Sequence, residues 1–136
     1  CEVVSQGGNY LRNIGPKPDG TIPEPTLEAL RVIGEWFGRH GEVIRGASAG
    51  PFPYRMPWGV ATAKGATVFL CVFEWPEDGR IFVPLLDRPE GIEATPTGPV
   101  SVAADEAEGG FFLELPAQAP DPHVSVITLH FSAAPR

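Results

Sequence analysis

The one string in the sequence with a catalytic pattern is Gly46-Ala47-Ser48-Ala49-Gly50. It matches the G-x-S-x-G nucleophile elbow of serine hydrolases, in which a strand precedes the serine and a helix follows it. The segment Pro51-Phe52-Pro53 comes directly afterwards, and closely spaced prolines forbid a helix at that point. We therefore interpret the pattern as a chance match in a loop.

Two glutamates could form a second kind of site. Glu24 and Glu28 would share one helix face at i, i+4 spacing, and paired carboxylates carry out glycoside hydrolysis. Acidic residues at the amino end of a helix are, however, favoured by the helix dipole alone. We therefore interpret Glu24 and Glu28 as residues that stabilise the helix, without a catalytic role.

The three histidines do not suggest a metal site. His40, His123 and His130 lie far apart in the sequence, without ligand spacing, and His40 is predicted to be a solvated residue at a helix end. The segment Gly15 to Gly20 lacks the Gly-Lys-Ser/Thr ending of a phosphate loop. Neither a metal nor a cofactor is predicted.

Three tryptophans offer flat apolar surfaces on which sugar rings could stack. Each of them stands in an apolar context, so packing in the core is the default interpretation. They are Trp36, Trp58 and Trp75.

The composition indicates one globular domain of 136 residues with a real core and short elements, since Gly and Pro are both abundant. A net charge of −7 argues against a nucleic-acid or anionic-membrane partner, and no stretch approaches the length of a membrane helix. Cys71 is predicted to be a buried small hydrophobe; a disulfide with Cys1 stays possible but unsupported. Because the chain starts with Cys1, we expect a processed or truncated product.

The first third of the chain is predicted to contain a strand, a loop and a helix. Glycines bound a strand over Asn9 to Ile14, and Asp19-Gly20 reads as a turn in the loop Gly15 to Gly20. The helix should begin near Pro23 or Pro25 and end at Gly41 in a left-handed conformation. Its apolar stripe is predicted at Leu27, Leu30, Ile33 and Phe37, widened by Val32 and Trp36.

The remainder is predicted to be an antiparallel β-sandwich, reached through a linker at residues 46–58. Thr67 to Trp75 is apolar on both faces, as in a central strand, and Pro76 to Gly79 reads as a hairpin turn. The other strands are predicted at Trp58 to Thr62, Arg80 to Val83, Gly91 to Ala94, Val100 to Ala104, Phe111 to Leu115 and Val124 to Phe131.

The opening residues resemble a known family over a long stretch. Val3 to Pro23, which contains Gly-Gly-Asn-Tyr-Leu-Arg-Asn-Ile-Gly-Pro, is similar to the end of the catalytic domain in family 29 glycoside hydrolases, the retaining α-L-fucosidases. The resemblance continues through Ile33 to Trp36, Gly41 to Ile44, and the Val72 to Gly79 segment. Pro116 to Pro122 resembles the approach to the family's last strand.

This resemblance implies a mainly β fold with one helix. Residues 1–47 would be the last strand–helix unit of a (β/α)8-type barrel, and residues 48–136 a carboxyl-terminal antiparallel β-sandwich. Asn13 and Gly15 would support the sugar pocket at the active-site end of the barrel strand. The family's catalytic carboxylates belong to motifs upstream of Cys1, so no catalytic residue is assigned and this chain alone is expected to be inactive.

Two departures and one alternative accompany the resemblance. Arg12 stands where the family usually has an apolar residue, and Arg45 where it usually has tyrosine. The alternative function is a non-catalytic β-sandwich module that binds carbohydrate or acts as a scaffold. The resemblance also favours a secreted or periplasmic enzyme.

The expected partners follow from the missing part of the barrel. A fucosylated glycan would bind through the parent barrel. An isolated barrel strand leaves open edges, so we expect the rest of the barrel or another copy to cover residues 1–45.

Overall fold

The computed structural model describes residues 1–95 and 100–135, which form three layers: a long helix, a five-stranded sheet and a three-stranded sheet. No described helix is long and apolar enough to cross a bilayer. The helical segments are α1 (Glu2–Ser5), α2 (Glu24–His40) and a 3-10 turn (Gly41–Val43). The strands are β1 (Ser48–Ala49), β2 (Gly59–Lys64), β3 (Thr67–Val72), β4 (Arg80–Val83), β5 (Gly91–Thr95), β6 (Ser101–Ala107), β7 (Gly110–Glu114) and β8 (Ser125–His130).

The larger sheet has the strand order β1-β2-β3-β8-β5, with every neighbouring pair antiparallel. β2 and β3 form a tight hairpin in which Lys64 faces Thr67, and Gly65 takes the left-handed conformation that the turn requires, at φ +61°. β8 lies between β3 and β5, so this late strand is an interior strand of the sheet and not an edge.

The smaller sheet has the order β4-β7-β6 and is also antiparallel. Phe82 of β4 stands opposite Phe112 of β7. The pairing of β6 with β7 shifts register between Val102 and Glu106, which marks a β-bulge or similar irregularity.

The main core lies between the two sheets and contains the inward-facing residues of both. On β3, alternate residues point into this core, while those between them point to the opposite face of the sheet. The buried members of the main core are Met56, Trp58, Ala61, Val68, Leu70, Val72, Ile81, Val83, Leu85, Phe111, Leu113, Ile127, Leu129 and Phe131. The predicted sandwich and its doubly buried central strand are confirmed.

A second, smaller core lies between α2 and the outer face of the larger sheet. It is formed by Trp36, Val43, Val60, Phe69, Cys71 and Val126. The predicted stripe of α2 is therefore correct only near its carboxyl end, because the sheet packs against those turns. Leu27 and Ile33 stay 42% and 40% exposed.

The predicted strand at Asn9 to Ile14 is wrong for this chain. The segment has no regular secondary structure, and Leu11 and Tyr10 are 93% and 67% exposed. A parallel barrel strand is held by hydrogen bonds to neighbouring strands. No described strand of this chain pairs with residues 9–14, so the segment stays extended and irregular.

Two predicted chain reversals also differ from the structure. Gly41 has φ −59° and continues the helix into the 3-10 turn instead of ending it in a left-handed conformation. The turn at Pro76 to Gly79 does form, with the Gly79 N–H donating to the Pro76 carbonyl, but it is not a hairpin. Since β2 and β8 occupy both edges of β3, β4 can only pair in the other sheet.

Gly50 offers a test of the packing between β1 and β2. A Cβ atom at this position would lie 2.1 Å from the carbonyl oxygen of Ala61, a backbone atom that cannot move aside. We expect Gly50→Ala to lower the free energy of unfolding by about 1–3 kcal/mol, measured by urea denaturation.

The matched control is Gly34→Ala in the middle of α2, where a Cβ meets nothing within 4 Å. This variant should raise the free energy of unfolding by about 0.5–1 kcal/mol, because alanine is the better helix former. Equal stability of the two variants would contradict the described contact between β1 and β2.

Candidate functional site

The loop between residues 15 and 20 is ordered by its own hydrogen bonds. The carboxylate of Asp19 accepts the N–H and the hydroxyl of Thr21 at 3.0 and 2.7 Å, and these bonds lower the pKa of that carboxyl. The Lys17 N–H donates to the Thr21 carbonyl at 2.7 Å, and Gly20 has φ +83°. The predicted turn at Asp19-Gly20 is thus present.

Of the predicted pocket-supporting residues, Asn13 lies just before this loop and Gly15 is its first residue. Both are exposed, and a Cβ at Gly15 would meet nothing within 4 Å. The structure brings them next to the ordered loop at the amino end of α2. A ligand or a further segment of protein could therefore approach both residues directly.

The catalytic-looking patterns of the sequence have structural roles. Ser48 lies in the edge strand β1, where its hydroxyl donates to the Ala63 carbonyl at 3.1 Å, and no helix follows it. Glu28 forms ion pairs with Arg31 on the exposed face of α2, and these hydrogen bonds lower its pKa. Glu24 lies in the first turn, as the helix dipole favours.

The tryptophans do not form an exposed sugar platform. Each indole N–H donates to a backbone carbonyl, at Val124 for Trp36, Phe82 for Trp58 and Pro116 for Trp75. Trp36 and Trp58 are buried. All three rings are therefore used inside the fold.

Neither cysteine forms a disulfide, and no metal cluster is evident in the described residues. Burial raises the pKa of the Cys71 thiol to about 12, so this thiol stays protonated and inert at neutral pH. Within residues 1–95 and 100–135, no three His, Cys, Asp or Glu side chains are arranged so that they could hold a metal ion.

Asp121, at the approach to β8, makes several polar contacts with both α2 and the sandwich. Its side chain is 2% exposed. One carboxylate oxygen, Oδ2, lies 2.8 Å from Arg39 Nη2 and 3.5 Å from His40 Nε2. The other, Oδ1, accepts the backbone N–H groups of His123 and Val124 at 2.9 and 3.3 Å.

These contacts join the last turn of α2 to the sandwich across more than 80 residues of sequence. The Trp36 indole adds a further bond, to the Val124 carbonyl at 2.9 Å. We call this group, formed by Trp36, Arg39, His40, Asp121 and Val124, the α2–β8 latch. His40 is 1% exposed in this group, so the prediction that it is solvated is wrong. The end of α2 packs against the sandwich and is shielded from water there.

Opposing effects act on the ionisation of Asp121. Burial, the largest single cause, raises its pKa, whereas the hydrogen bonds from His123, Arg39 and Val124 lower it. The lowering effects win together, so the pKa of Asp121 lies below the usual value. The carboxylate is therefore charged at neutral pH and holds Arg39 as an ion pair.

The latch was not predicted from the sequence. The only sequence features that point to it are Arg39-His40 at a helix end and the constrained Pro120-Asp121-Pro122 segment. Nothing in the spacing of these residues shows that they meet.

An apolar groove of about 870 Å³ lies beside the latch, between the amino-terminal segment and α2. Its walls include Val3, Tyr10, Ile33, Trp36, Phe37 and Val124. This face of the chain exposes several large apolar side chains. They are Val3, Tyr10 and Ile33 in the groove, and Leu11 and Leu27 nearby in sequence.

Comparison with known proteins identifies the family. The family model described as Alpha-L-fucosidase matches residues 1–42. The chain is 32% identical to tissue alpha-L-fucosidase of Homo sapiens over 88% of its length and 26% of the relative's. It is 33% identical to alpha-L-fucosidase of Dictyostelium discoideum, over 93% of its length and 30% of the relative's.

Solved structures agree. The alpha-L-fucosidase isoenzyme 1 of Paenibacillus thiaminolyticus superposes with a TM-score of 0.85 at 29% identity, over 95% of this chain and 32% of that one. The GH29 covalent-intermediate structure from Bacteroides thetaiotaomicron superposes at 0.77 with 26% identity, over 94% and 30%. The chain thus spans between a quarter and a third of the relatives' length.

The described fold, one long helix packed on an antiparallel β-sandwich, is shared with part of the solved α-L-fucosidase structures. The chain matches a carboxyl-terminal portion of the α-L-fucosidases of glycoside hydrolase family 29.

The ionisation of Asp121 predicts how acid affects the fold. A carboxyl whose folded-state pKa is lowered adds stability above its unfolded pKa of about 3.9, and this stability is lost as the pH falls through the folded pKa. We expect wild type to exceed Asp121→Asn in free energy of unfolding at neutral pH, with the difference shrinking below about pH 4.

The measurement is urea denaturation of both chains across this pH range. The groups that face Asp121 are Arg39, His40 and, in the same cleft, Glu35 and His123. Glu28→Gln, which breaks only an exposed pair with Arg31, is the control and should change the free energy of unfolding little. A difference between wild type and Asp121→Asn that stays constant with pH would contradict the assignment.

Proposed function

We propose that the chain is the carboxyl-terminal part of a retaining α-L-fucosidase, an enzyme that hydrolyses terminal α-L-fucosyl groups from glycans. The observation that carries this proposal is the agreement of two matches: the family model on residues 1–42 and the superposition of 95% of the chain on a fucosidase structure. A trapped covalent intermediate in a GH29 neighbour supports the retaining mechanism.

In this proposal the chain has two parts. Residues 1–47 are the last unit of the catalytic barrel, and residues 48–136 are the sandwich that braces it. The core between the sheets is made only of residues from the second part, and the core beneath α2 joins the two parts. The division is supported by the start of sheet pairing at Ser48.

The catalytic residues lie outside this chain. Retaining glycosidases place two carboxylates about 5–5.5 Å apart, one as nucleophile and one as acid/base. Three carboxylates of this chain make close polar contacts with other side chains. Asp19 is bonded to Thr21, Glu28 to Arg31 and Asp121 to Arg39. This chain contributes support to the active site and takes no direct part in bond cleavage.

Asn13 and Gly15 are proposed to provide that support. They precede the hydrogen-bonded loop that ends at Thr21, and barrel enzymes build their active sites from loops of this kind at the carboxyl ends of strands. The amide of Asn13 can hydrogen-bond a sugar hydroxyl or a neighbouring loop, and Gly15 leaves room for close approach.

The proposed partners are a fucosylated glycan, bound through the parent barrel, and the rest of that barrel. The barrel, or failing it another copy of the chain, would cover residues 1–45, where Val3, Tyr10, Leu11, Leu27 and Ile33 are exposed. A net charge of −7 gives no support for nucleic acid or an anionic membrane as partner.

An aryl α-L-fucoside assay tests the division of labour. We expect no turnover by this chain alone, because its catalytic pair lies elsewhere, and turnover by a polypeptide that joins it to its upstream barrel. Turnover by the isolated chain would show that the catalytic carboxylates have been placed wrongly. If the joined polypeptide folds but does not cleave the fucoside, the proposed function is wrong.

Gly15→Ala and Asn13→Ala probe the pocket in the joined enzyme. A methyl group at Gly15 meets open space in this chain, so urea denaturation of the isolated chain should give an unchanged free energy of unfolding. In the enzyme we expect both variants to raise KM for the fucoside by about tenfold, the loss typical of one well-placed contact. An unchanged KM in both variants would exclude these residues from the pocket.

Light scattering tests the covered face. The isolated chain should self-associate at micromolar concentration, because its exposed apolar face lacks a partner. A double variant, Leu27→Lys with Ile33→Lys, should remain monomeric, while Lys64→Ala on the far hairpin should behave as wild type. A stable wild-type monomer would argue against a covered face.

A further inference from the structure

The α2–β8 latch holds one end of a helix whose other end leads to the loop at residues 15–20. α2 has 17 residues, which corresponds to a length of about 25 Å. Its carboxyl end is buried in the latch, whereas Leu27 and Ile33 nearer the amino end remain exposed. The helix is therefore anchored in this chain mainly at the end that lies farthest from the loop.

A rod anchored at one end transmits small changes of angle as displacements at the other. Tilting a helix of about 25 Å by about 2° moves its far end by about 0.9 Å. Misplacement of catalytic or substrate-binding groups by about 1 Å can reduce the rate by two orders of magnitude. The contacts that set the angle of α2 thus matter to any site that the loop helps to build.

We propose that Asp121 is a positioning residue: its carboxylate fixes the carboxyl end of α2 on the sandwich and so sets the position of the loop at residues 15–20. The inference rests on the proposed function for its effect on the reaction. Its structural half, the local anchoring of α2, does not depend on that function.

Two features show that Asp121 acts on the orientation of the helix as well as on stability. The two carboxylate oxygens have separate tasks: Oδ1 shapes the approach to β8 through His123 and Val124, while Oδ2 faces α2 through Arg39 and His40. His40 Nε2 is buried and has no hydrogen-bond partner among the described residues. Its nearest ionic neighbour is Asp121, so the charged contacts at this helix end converge on one carboxylate.

The variant Asp121→Asn separates these tasks. The amide oxygen of asparagine can still accept the N–H groups of His123 and Val124. The amide NH2 group, which replaces Oδ2, is uncharged and no longer attracts Arg39. Arg39→Met is the second variant, because it removes the same ion pair from the helix side. The Asp121 carboxylate, 2% exposed, then loses its ion partner but keeps the N–H groups of His123 and Val124.

The indole N–H groups of the three tryptophans report on the latch within one spectrum. Trp36 bonds to Val124 across the latch, while Trp58 and Trp75 bond within the sandwich part, to Phe82 and Pro116. By hydrogen-exchange NMR on the chain, we expect Asp121→Asn and Arg39→Met to accelerate exchange of the Trp36 indole by about tenfold or more. The other two indoles should change by less than about twofold.

Equal acceleration of all three indoles would mean that Asp121 only adds global stability, and no change at any of them would mean that the ion pair does not hold α2. Either result overturns the inference. If Asp121→Asn fails to fold, Arg39→Met carries the same test. Glu28→Gln, on the exposed face of α2, is the control and should leave the Trp36 indole unchanged.

The second arm uses the enzyme that joins this chain to its upstream barrel. At a temperature where all variants are folded, Asp121→Asn and Arg39→Met should lower kcat by about tenfold, and Arg39→Lys should retain most of it. Unchanged kcat and KM in folded variants would overturn the positioning role. Absence of fucosidase activity in the wild-type enzyme would instead refute the proposed function, and the indole result would still stand.

Discussion

The architecture depends on the burial of one strand on both faces. β3 carries Val68, Leu70 and Val72 on one side and Phe69 and Cys71 on the other, and all five are buried. An apolar strand of this kind needs a cover above and below the sheet. The smaller sheet provides the first cover and α2 the second, so the three-layer arrangement follows from that single requirement.

The cover that α2 provides has a small apolar contact area and is also held by polar contacts. Beneath α2 the apolar contacts are concentrated near Trp36, and the polar contacts are the Trp36 indole bond to Val124 and the ion pair through Asp121. A buried carboxylate is costly unless it is paired and hydrogen-bonded. Asp121 meets this condition with two backbone N–H groups and Arg39, which makes the attachment specific in angle where an apolar contact alone would permit sliding.

The apolar face around residues 1–45 has the opposite character. Tyr10 and Leu11 are exposed in a segment without regular structure, next to a groove formed by α2 and the amino-terminal turn. This chain spans about a third of a solved α-L-fucosidase, and the exposed apolar side chains are the ones that the proposed barrel partner would cover. The sandwich, by contrast, is closed on its own core between the two sheets.

Much of this could be predicted from the sequence because the determinants are local. Strand and helix positions follow from apolar periodicity, the turn at Asp19-Gly20 from side chains that bond their own backbone, and the family from a long run of residues around Asn13. Three features were decided only by tertiary structure. The segment at residues 9–14 forms no strand because a strand needs a neighbouring strand to pair with. β4 pairs in the smaller sheet because β2 and β8 already occupy both edges of β3. His40 is buried because the last turn of α2 packs against Asp121. In each case a residue's state depends on groups far away in sequence, and periodicity and composition carry no record of which distant groups will meet.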